Sequence, residues 1–124
     1  MNLPKIIQGG MGVAISNWKL AKTVSMEGAL GVVSGSGIAL IMISRLMNGD
    51  PDGHIRRALS NFPFQVPVRE ILDEYFVPEP VVPPAPYTRP TMWTLDPPKA
   101  LVELTVIGNF VEVFLAKEGH TNPV

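Results

Sequence analysis

The stretch Lys5-Ile6-Ile7-Gln8-Gly9-Gly10-Met11-Gly12 decides the expected fold, because a short apolar run passes directly into a glycine-rich segment. The run at residues 5–8 is rich in β-branched side chains and ends at a glycine pair, which predicts a short buried strand followed by a tight loop. A second apolar run, at residues 30–33, ends in Ser34-Gly35-Ser36-Gly37. The two runs therefore predict two strands, each ending in a loop of small residues.

The residues between the two runs predict a helix. Residues 18–26 carry apolar side chains at helical spacing, Ser16 or Asn17 can cap the first turn, and Gly28 follows the last turn. A strand, a helix and a strand with short connections favour two parallel strands joined by a right-handed crossover. Neither strand alternates apolar and polar residues, as expected for a parallel sheet covered on both faces. The pattern therefore predicts an α/β fold.

The rest of the chain combines further helices with one proline-rich stretch. Eight of the 13 prolines lie between Pro78 and Pro98, so this stretch is expected to be extended, in part as polyproline II. Residues 111–115 are β-branched enough to leave a strand open as an alternative. Residues 123 and 124 are the expected first step of a third strand. Four more helical segments are predicted. They are residues 38–47 with Ser36 as the cap, residues 51 or 52 to 61 with Asp50 as a candidate cap, residues 67–76, and residues 99–118 with Asp96 as the cap and Gly119 as the stop.

Composition excludes several classes of function. The 124 residues carry a net charge of −1, which gives no electrostatic reason to expect nucleic acid or an anionic membrane as a partner. The absence of cysteine excludes disulfides, thiolate catalysis and cysteine-based zinc sites, and it suits the cytosol. We find no signal peptide, and no apolar run reaches the roughly 18 residues of a membrane span. The expected location is cytoplasmic, with oligomerisation left open.

The two glycine-rich loops are the candidate ligand site. Each follows a predicted parallel strand at its carboxyl end, where ligands bind in α/β proteins. Glycines let the backbone approach a flat ligand closely, Met11 adds a soft apolar contact, and Ser34 and Ser36 add two hydroxyls. On glycine content alone, tight turns without any ligand are an equally good interpretation. Neither loop matches the dinucleotide fingerprint or a phosphate-binding P-loop.

Several blocks of the sequence resemble the nitronate monooxygenase (2-nitropropane dioxygenase-like) family. They are residues 4–13, 16–21 and 28–35, followed by 49–59, 109–120 and 122–124. The resemblance implies a (β/α)₈ TIM barrel that binds FMN and oxidises alkyl nitronates with O₂, without a nicotinamide cofactor. Flavin-dependent enoyl reductases of fatty-acid and polyketide synthesis share that fold and are the alternative. Carried over by position, the residues implied to contact FMN are Gly9, Gly10, Met11, Gly12, Ser34, Gly35 and Ser36.

The resemblance also implies how the chain is divided. A complete barrel has roughly 250 residues, so the chain is expected to be an N-terminal piece of one. Residues 1–37 would form its first βαβ unit, 38–98 a helical and proline-rich insertion after the second strand, and 99–124 a barrel helix and the start of the third strand. The family's catalytic histidine would lie beyond Val124, so no catalytic residue is assigned. We expect the piece to be inactive and to bind flavin weakly or not at all, and a non-catalytic remnant is a further alternative.

The two histidines are expected to serve structural roles. His54 lies beside two arginines on a predicted exposed helix face, and His120 follows a predicted helix end, where it stabilises the C-terminus. Their spacing supports no metal site. Trp18 is expected to pack in the core.

Overall fold

The computed structural model describes residues 3–79 and 93–124, and in these ranges the protein is helical. Most of the predicted proline-rich excursion lies outside the described residues. The described elements are five helices, namely α1 (Trp18–Met26), α2 (Ile38–Met47), α3 (His54–Ser60), α4 (Gln65–Tyr75) and α5 (Lys99–Lys117).

The predicted α/β fold, an N-terminal portion of a (β/α)₈ barrel with an insertion after its second strand, is wrong. No strand forms in the described residues beyond one isolated parallel bridge between Ile7 and Leu30. A parallel sheet requires cover on both faces, yet the side chains of Ile6 and Ile7 are 70% and 66% exposed. The expected third strand is also absent, and the backbone of Pro123 accepts one hydrogen bond from Gly31 N–H at 3.3 Å. The division at residues 37 and 98 stays a prediction.

The predicted helices are confirmed, with shifts of a few residues at their ends. Residues 18–26 and 38–47 are helical as predicted, and the long helix ends at Lys117, one residue early. The strand alternative for residues 111–115 is wrong, because they continue α5. Helical spacing of apolar residues is a local property of the sequence. The helix predictions are therefore correct even though the predicted fold class is wrong.

The helix ends follow only part of the predicted capping. The side chain of Asn17 accepts hydrogen bonds from Lys19 N at 3.0 Å and Leu20 N at 3.1 Å, so it caps α1 as predicted. Gly28 and Gly119 adopt φ values of +87° and +85° just beyond α1 and α5, the left-handed geometry that favours glycine. The caps predicted for α2 and α5 are wrong, since Gly37 and Pro98 occupy those positions in place of Ser36 and Asp96.

Asp50 holds the start of α3 without occupying the cap position. Gly53 precedes the helix, while the buried Asp50 carboxylate accepts hydrogen bonds from Ile55 N at 3.1 Å and Arg56 N at 3.0 Å. The Arg56 side chain adds an Nε bond at 3.2 Å and lies over the Phe76 ring at 4.6 Å. The Asp50 carboxylate therefore accepts two backbone N–H groups from the first turn of α3 and also holds the Arg56 guanidinium in place.

α5 lies at the centre of the fold. It packs against α1, α2 and α3, and α2 in turn contacts α3 and α4. Its buried apolar residues recur every three or four positions, as expected of a helix with one buried face: Leu101, Leu104, Ile107, Val111 and Leu115. In the described ranges, no helix is both long and apolar enough to cross a membrane.

A carboxylate inside this core links three helices. Glu112, in the middle of α5, is 4% exposed. One of its oxygens accepts a 2.7 Å hydrogen bond from the backbone N–H of Trp18, the first residue of α1, and the other is paired with the Arg45 guanidinium in the last turn of α2. Both oxygens are satisfied, which is what the burial of a charge requires.

A second ion pair joins α3 to the end of α5. Arg57 donates two hydrogen bonds to the Glu118 carboxylate, from Nε at 2.9 Å and from Nη2 at 3.0 Å. The bonds from Arg57 hold the pKa of Glu118 below its usual value, against a smaller opposing effect of desolvation. The same contact raises the pKa of Arg57.

Replacing Glu112 by Gln should destabilise the fold by about 2 kcal/mol, because a neutral amide takes the place of the buried carboxylate that is hydrogen-bonded to the partly exposed Arg45 cation. Urea unfolding monitored by circular dichroism measures the change. The control is Glu103→Gln on the same helix, where a more exposed carboxylate meets Lys99 at 3.4 Å and the expected loss is below about 0.5 kcal/mol. Equal losses in the two variants would contradict the proposed role of Glu112.

The Glu118 pair should make stability depend on pH. Because the folded pKa lies below the unfolded value of about 4.3, the stabilisation is complete above that pH and is lost as the pH falls through the folded pKa. The pair is well exposed, so Glu118→Gln should cost about 0.2–1 kcal/mol near neutral pH. Urea unfolding at decreasing pH should show the gap between native chain and variant closing, and a gap independent of pH would refute this assignment.

Candidate functional site

The two glycine-rich loops follow the two bridged segments and lie against each other. In the bridge, Gln8 N donates to Leu30 O at 3.0 Å and Leu30 N donates to Ile6 O at 2.9 Å. A Cβ placed on Gly37 would lie 3.3 Å from the side chain of Val13, so the end of the second loop lies against the residue that follows the first loop. The structure thus brings together the two segments that the sequence analysis expected to be neighbours, although a sheet is not what joins them.

A side-chain network holds the two segments in register beyond the bridge. The Gln8 amide donates to Val32 O at 3.0 Å and accepts from Val32 N at 3.1 Å, so it pairs with a backbone amide as a neighbouring strand would. The buried hydroxyl of Ser16 bonds to the same carbonyl and to the Gln8 amide. The Ser16 backbone carbonyl accepts from Ser34 N at 2.8 Å. Gln8 and Ser16 therefore position both loops.

The first loop presents open backbone. A Cβ on Gly9 or Gly10 would meet no atom within 4 Å, and Gly12 adopts φ +83°. The four backbone N–H groups of residues 9–12 find no acceptor among the described residues. The side chain of Met11 is 50% exposed. These four residues offer hydrogen-bond donors and one apolar side chain on an unobstructed surface.

The second loop is more tightly built. Ser36 N donates to the Ser34 hydroxyl at 3.3 Å, which fixes the turn, and both Gly35 and Ser36 are exposed. A Cβ on Gly35 would lie 3.2 Å from the side-chain oxygen of Asn109, so α5 closes the loop from behind. Asn109 donates its amide to Thr105 O at 2.8 Å, which leaves that oxygen directed at the loop.

Gln8, Ser16 and Asn109 hold the loops in place but are absent from the predicted site residues. Gln8 and Ser16 carry a local signal, since each is a polar residue next to an apolar run that has no evident role at the surface. Asn109 has no such signal: it lies in α5, more than 70 residues beyond Gly35, and only the packing of α5 brings it to the loop.

The loops lack groups that transfer protons. None of the predicted site residues is ionisable, and the hydrogen bonds of both histidines run elsewhere. His120 bonds through Nε2 to Ala116 O at 2.6 Å and accepts Asn122 N–H at 3.2 Å, which stabilises the end of α5 as expected. His54 contacts Arg57 and Trp18. The loops can therefore bind and orient a ligand, but they supply no acid or base.

Comparison of the chain with protein-family models, with curated proteins and with solved structures finds no match. No family is therefore assigned to it, and the resemblance to nitronate monooxygenases stays a prediction.

Replacing Gln8 by Leu should loosen the contact between the loops at a cost of about 1–3 kcal/mol, because it leaves the half-buried Val32 N–H without an acceptor and the Val32 carbonyl with the Ser16 hydroxyl alone. Hydrogen exchange should accelerate at Val32 N–H and Ser34 N–H. The matched control is Gln65→Leu, which removes side-chain bonds to Leu59 O and Phe62 O at another place. Exchange at Val32 that is unchanged in Gln8→Leu, or accelerated equally by both variants, would contradict this role of Gln8.

Proposed function

We propose that the chain belongs to an FMN-dependent oxidoreductase that acts on alkyl nitronates with O₂, and that residues 9–12 and 34–36 form one wall of the flavin site. The observation that carries the proposal is the pairing of the segments that lead into two small-residue loops, the first of which has four backbone N–H groups without an acceptor among the described residues. The redox chemistry and the substrate class come from the sequence resemblance. A cytoplasmic location is part of the proposal.

The geometry of the first loop suits a flat heterocycle. Gly9 and Gly10 leave open space where side chains would stand, so a ring can approach the backbone closely enough for N–H groups to bond its polar edge. The exposed thioether of Met11 is a favourable contact for an aromatic ring. Ser34 and Ser36 offer hydroxyls in the second loop, and the hydrogen bonds of Gln8 and Ser16 to Val32 and Ser34 tie the starts of the two loops together.

FMN, when bound, would supply the electron transfer between nitronate and O₂. The residues of this chain would bind the cofactor and exclude water from one of its faces, and no proton-transfer role is proposed for them. A flavin-dependent enoyl reductase has the same requirements at this wall and differs in using an enoyl thioester and NAD(P)H. A non-catalytic remnant that retains this wall is the third candidate.

Titration of FMN with the chain, followed by flavin fluorescence, should show saturable quenching with a Kd of about 10⁻⁴ M, or about −5.5 kcal/mol. The affinity is low because one wall contributes few contacts. Gly10→Val should weaken binding at least about tenfold, a loss of about 1.4 kcal/mol, by blocking the approach to the backbone. The fold should tolerate the substitution, since Gly10 has open space around it and no left-handed φ.

Two methionines provide a matched pair of variants. Met11→Ala should weaken FMN binding about threefold, in line with a thioether–ring contact. Met26→Ala, which removes a similarly exposed side chain at the end of α1, should leave binding unchanged. The flavin site would be contradicted by the absence of saturable quenching, or by an FMN affinity that is the same in Gly10→Val and Met11→Ala as in the native chain. If FMN binds, oxygen consumption with an alkyl nitronate, or oxidation of NAD(P)H with an enoyl thioester, separates the candidate activities.

A further inference from the structure

A polar cleft of about 230 Å³ lies between the first turn of α1 and the connection from α2 to α3. It is separate from the glycine-rich loops, and the proposed function does not use it. The side chains that matter for its chemistry are those of Asn17, Trp18, Lys19, Arg45, Asp52 and His54.

The acidic groups closest to this cleft are already satisfied. The Asp50 carboxylate is buried and accepts hydrogen bonds from two backbone N–H groups and from the Arg56 side chain. The Glu112 carboxylate behind the cleft accepts from Trp18 N and pairs with Arg45. Asp52 remains, and its side chain is 73% exposed. Asp52 also lines the cleft and is the one carboxylate of the lining that has no hydrogen bond among the described residues.

Two cations remain available to a ligand. Arg45 has five N–H donors in a planar fork, and within the described part of the chain Glu112 is its one hydrogen-bond partner. Its side chain is partly exposed and lines the cleft. The Lys19 ammonium lies 5.5 Å from the centre of the Trp18 ring on the same lining.

His54 adds a donor whose orientation is fixed by its neighbours. Arg57 donates from Nη2 to His54 Nδ1 at 2.9 Å, and because a guanidinium can only donate, the neutral ring carries its proton on Nε2. Arg57 is itself held by its two bonds to Glu118, and the His54 ring packs edge-on against Trp18 with centroids 5.0 Å apart. The Nε2–H of His54 is left with Asp52, at 3.8 Å, as its nearest charged neighbour.

We propose that this cleft binds a small oxyanion, a phosphate group or a carboxylate. The Arg45 fork matches the paired oxygens of such a group, Lys19 supplies a second positive charge, and His54 Nε2–H supplies a neutral donor. The pairing with Glu112 holds the Arg45 side chain in place, so its remaining donors are oriented before the ligand arrives. Trp18 forms a flat wall for whatever carries the anionic group.

The test is an NMR titration of the ¹⁵N-labelled chain with inorganic phosphate, with sodium chloride adjusted to hold the ionic strength constant. Saturable shifts are expected for Lys19, His54 and the Trp18 indole, while the amides of residues 9–12 stay unchanged. That contrast separates this site from the flavin site, whose failure would leave these shifts intact. A second titration with acetate identifies the source of the oxyanion: tighter binding of phosphate assigns a phosphate group, and equal or tighter binding of acetate assigns a carboxylate.

Matched variants locate the site. Lys19→Gln should weaken binding about threefold, the effect of one exposed charge, whereas Lys22→Gln, one turn further along α1, should have no effect. His54→Ala should weaken binding about tenfold, the loss of one hydrogen bond to a charged group, whereas His120→Ala should have none. The exposed Lys19 position keeps the test valid should His54→Ala unfold the chain. The proposal is overturned by the absence of saturable shifts with both oxyanions, or by equal weakening in Lys22→Gln and Lys19→Gln.

Discussion

The arrangement of the described helices depends on one buried carboxylate. Glu112 belongs to the middle of α5, and its carboxylate contacts the start of α1 and the end of α2. It accepts a hydrogen bond from the backbone N–H of Trp18 in α1 and pairs with the guanidinium of Arg45 in α2. Because an unpaired charge in this position costs several kcal/mol, α1 and α2 are confined to positions that satisfy it. The contact of Glu112 with Trp18 also affects the loops. Ser16 lies two residues before Trp18, and it is hydrogen-bonded to both Val32 and Ser34.

Apolar surface explains why helices dominate where a sheet was expected. The faces of α2, α3 and α5 bury their large apolar side chains against one another, whereas Ile6 and Ile7 remain largely exposed. Two short extended segments cannot cover both of their own faces, and nothing in the described residues covers them. They are joined by one bridge and by the Gln8 side chain, which substitutes for a strand's own amide. The parallel contact between the segments is therefore real, but it is too short to be a sheet.

Local sequence signals predicted the helices, and they failed for the contacts between distant segments. Apolar spacing and cap or stop residues predicted the five described helices. Of the two candidate caps of α1, Ser16 and Asn17, the structure has Asn17, and Gly119 was correctly assigned as the stop of α5, because such effects act within one turn. The pairing of Arg45 with Glu112 joins residues 67 positions apart, and no spacing rule reaches that far. The neighbouring position of the two glycine-rich loops was predicted for the wrong reason: parallel strands were invoked, and the Gln8 and Ser16 side chains provide the connection.

The glycine-rich loops and the cleft at the start of α1 offer different chemical groups, and these groups limit the kind of ligand that each can bind. The loops offer backbone donors, hydroxyls and a thioether but no ionisable group, so any reaction at that surface must draw its reactivity from the bound molecule, a requirement that a flavin meets and a hydrolytic substrate does not. The cleft at the start of α1 has the opposite character, with oriented cationic donors and an aromatic wall but no buried base free to accept a proton. The two proposed sites therefore call for different ligands, an oxyanion at the cleft and an uncharged ring at the loops, and both are adjacent in sequence to the start of α1, which Glu112 holds through the Trp18 N–H.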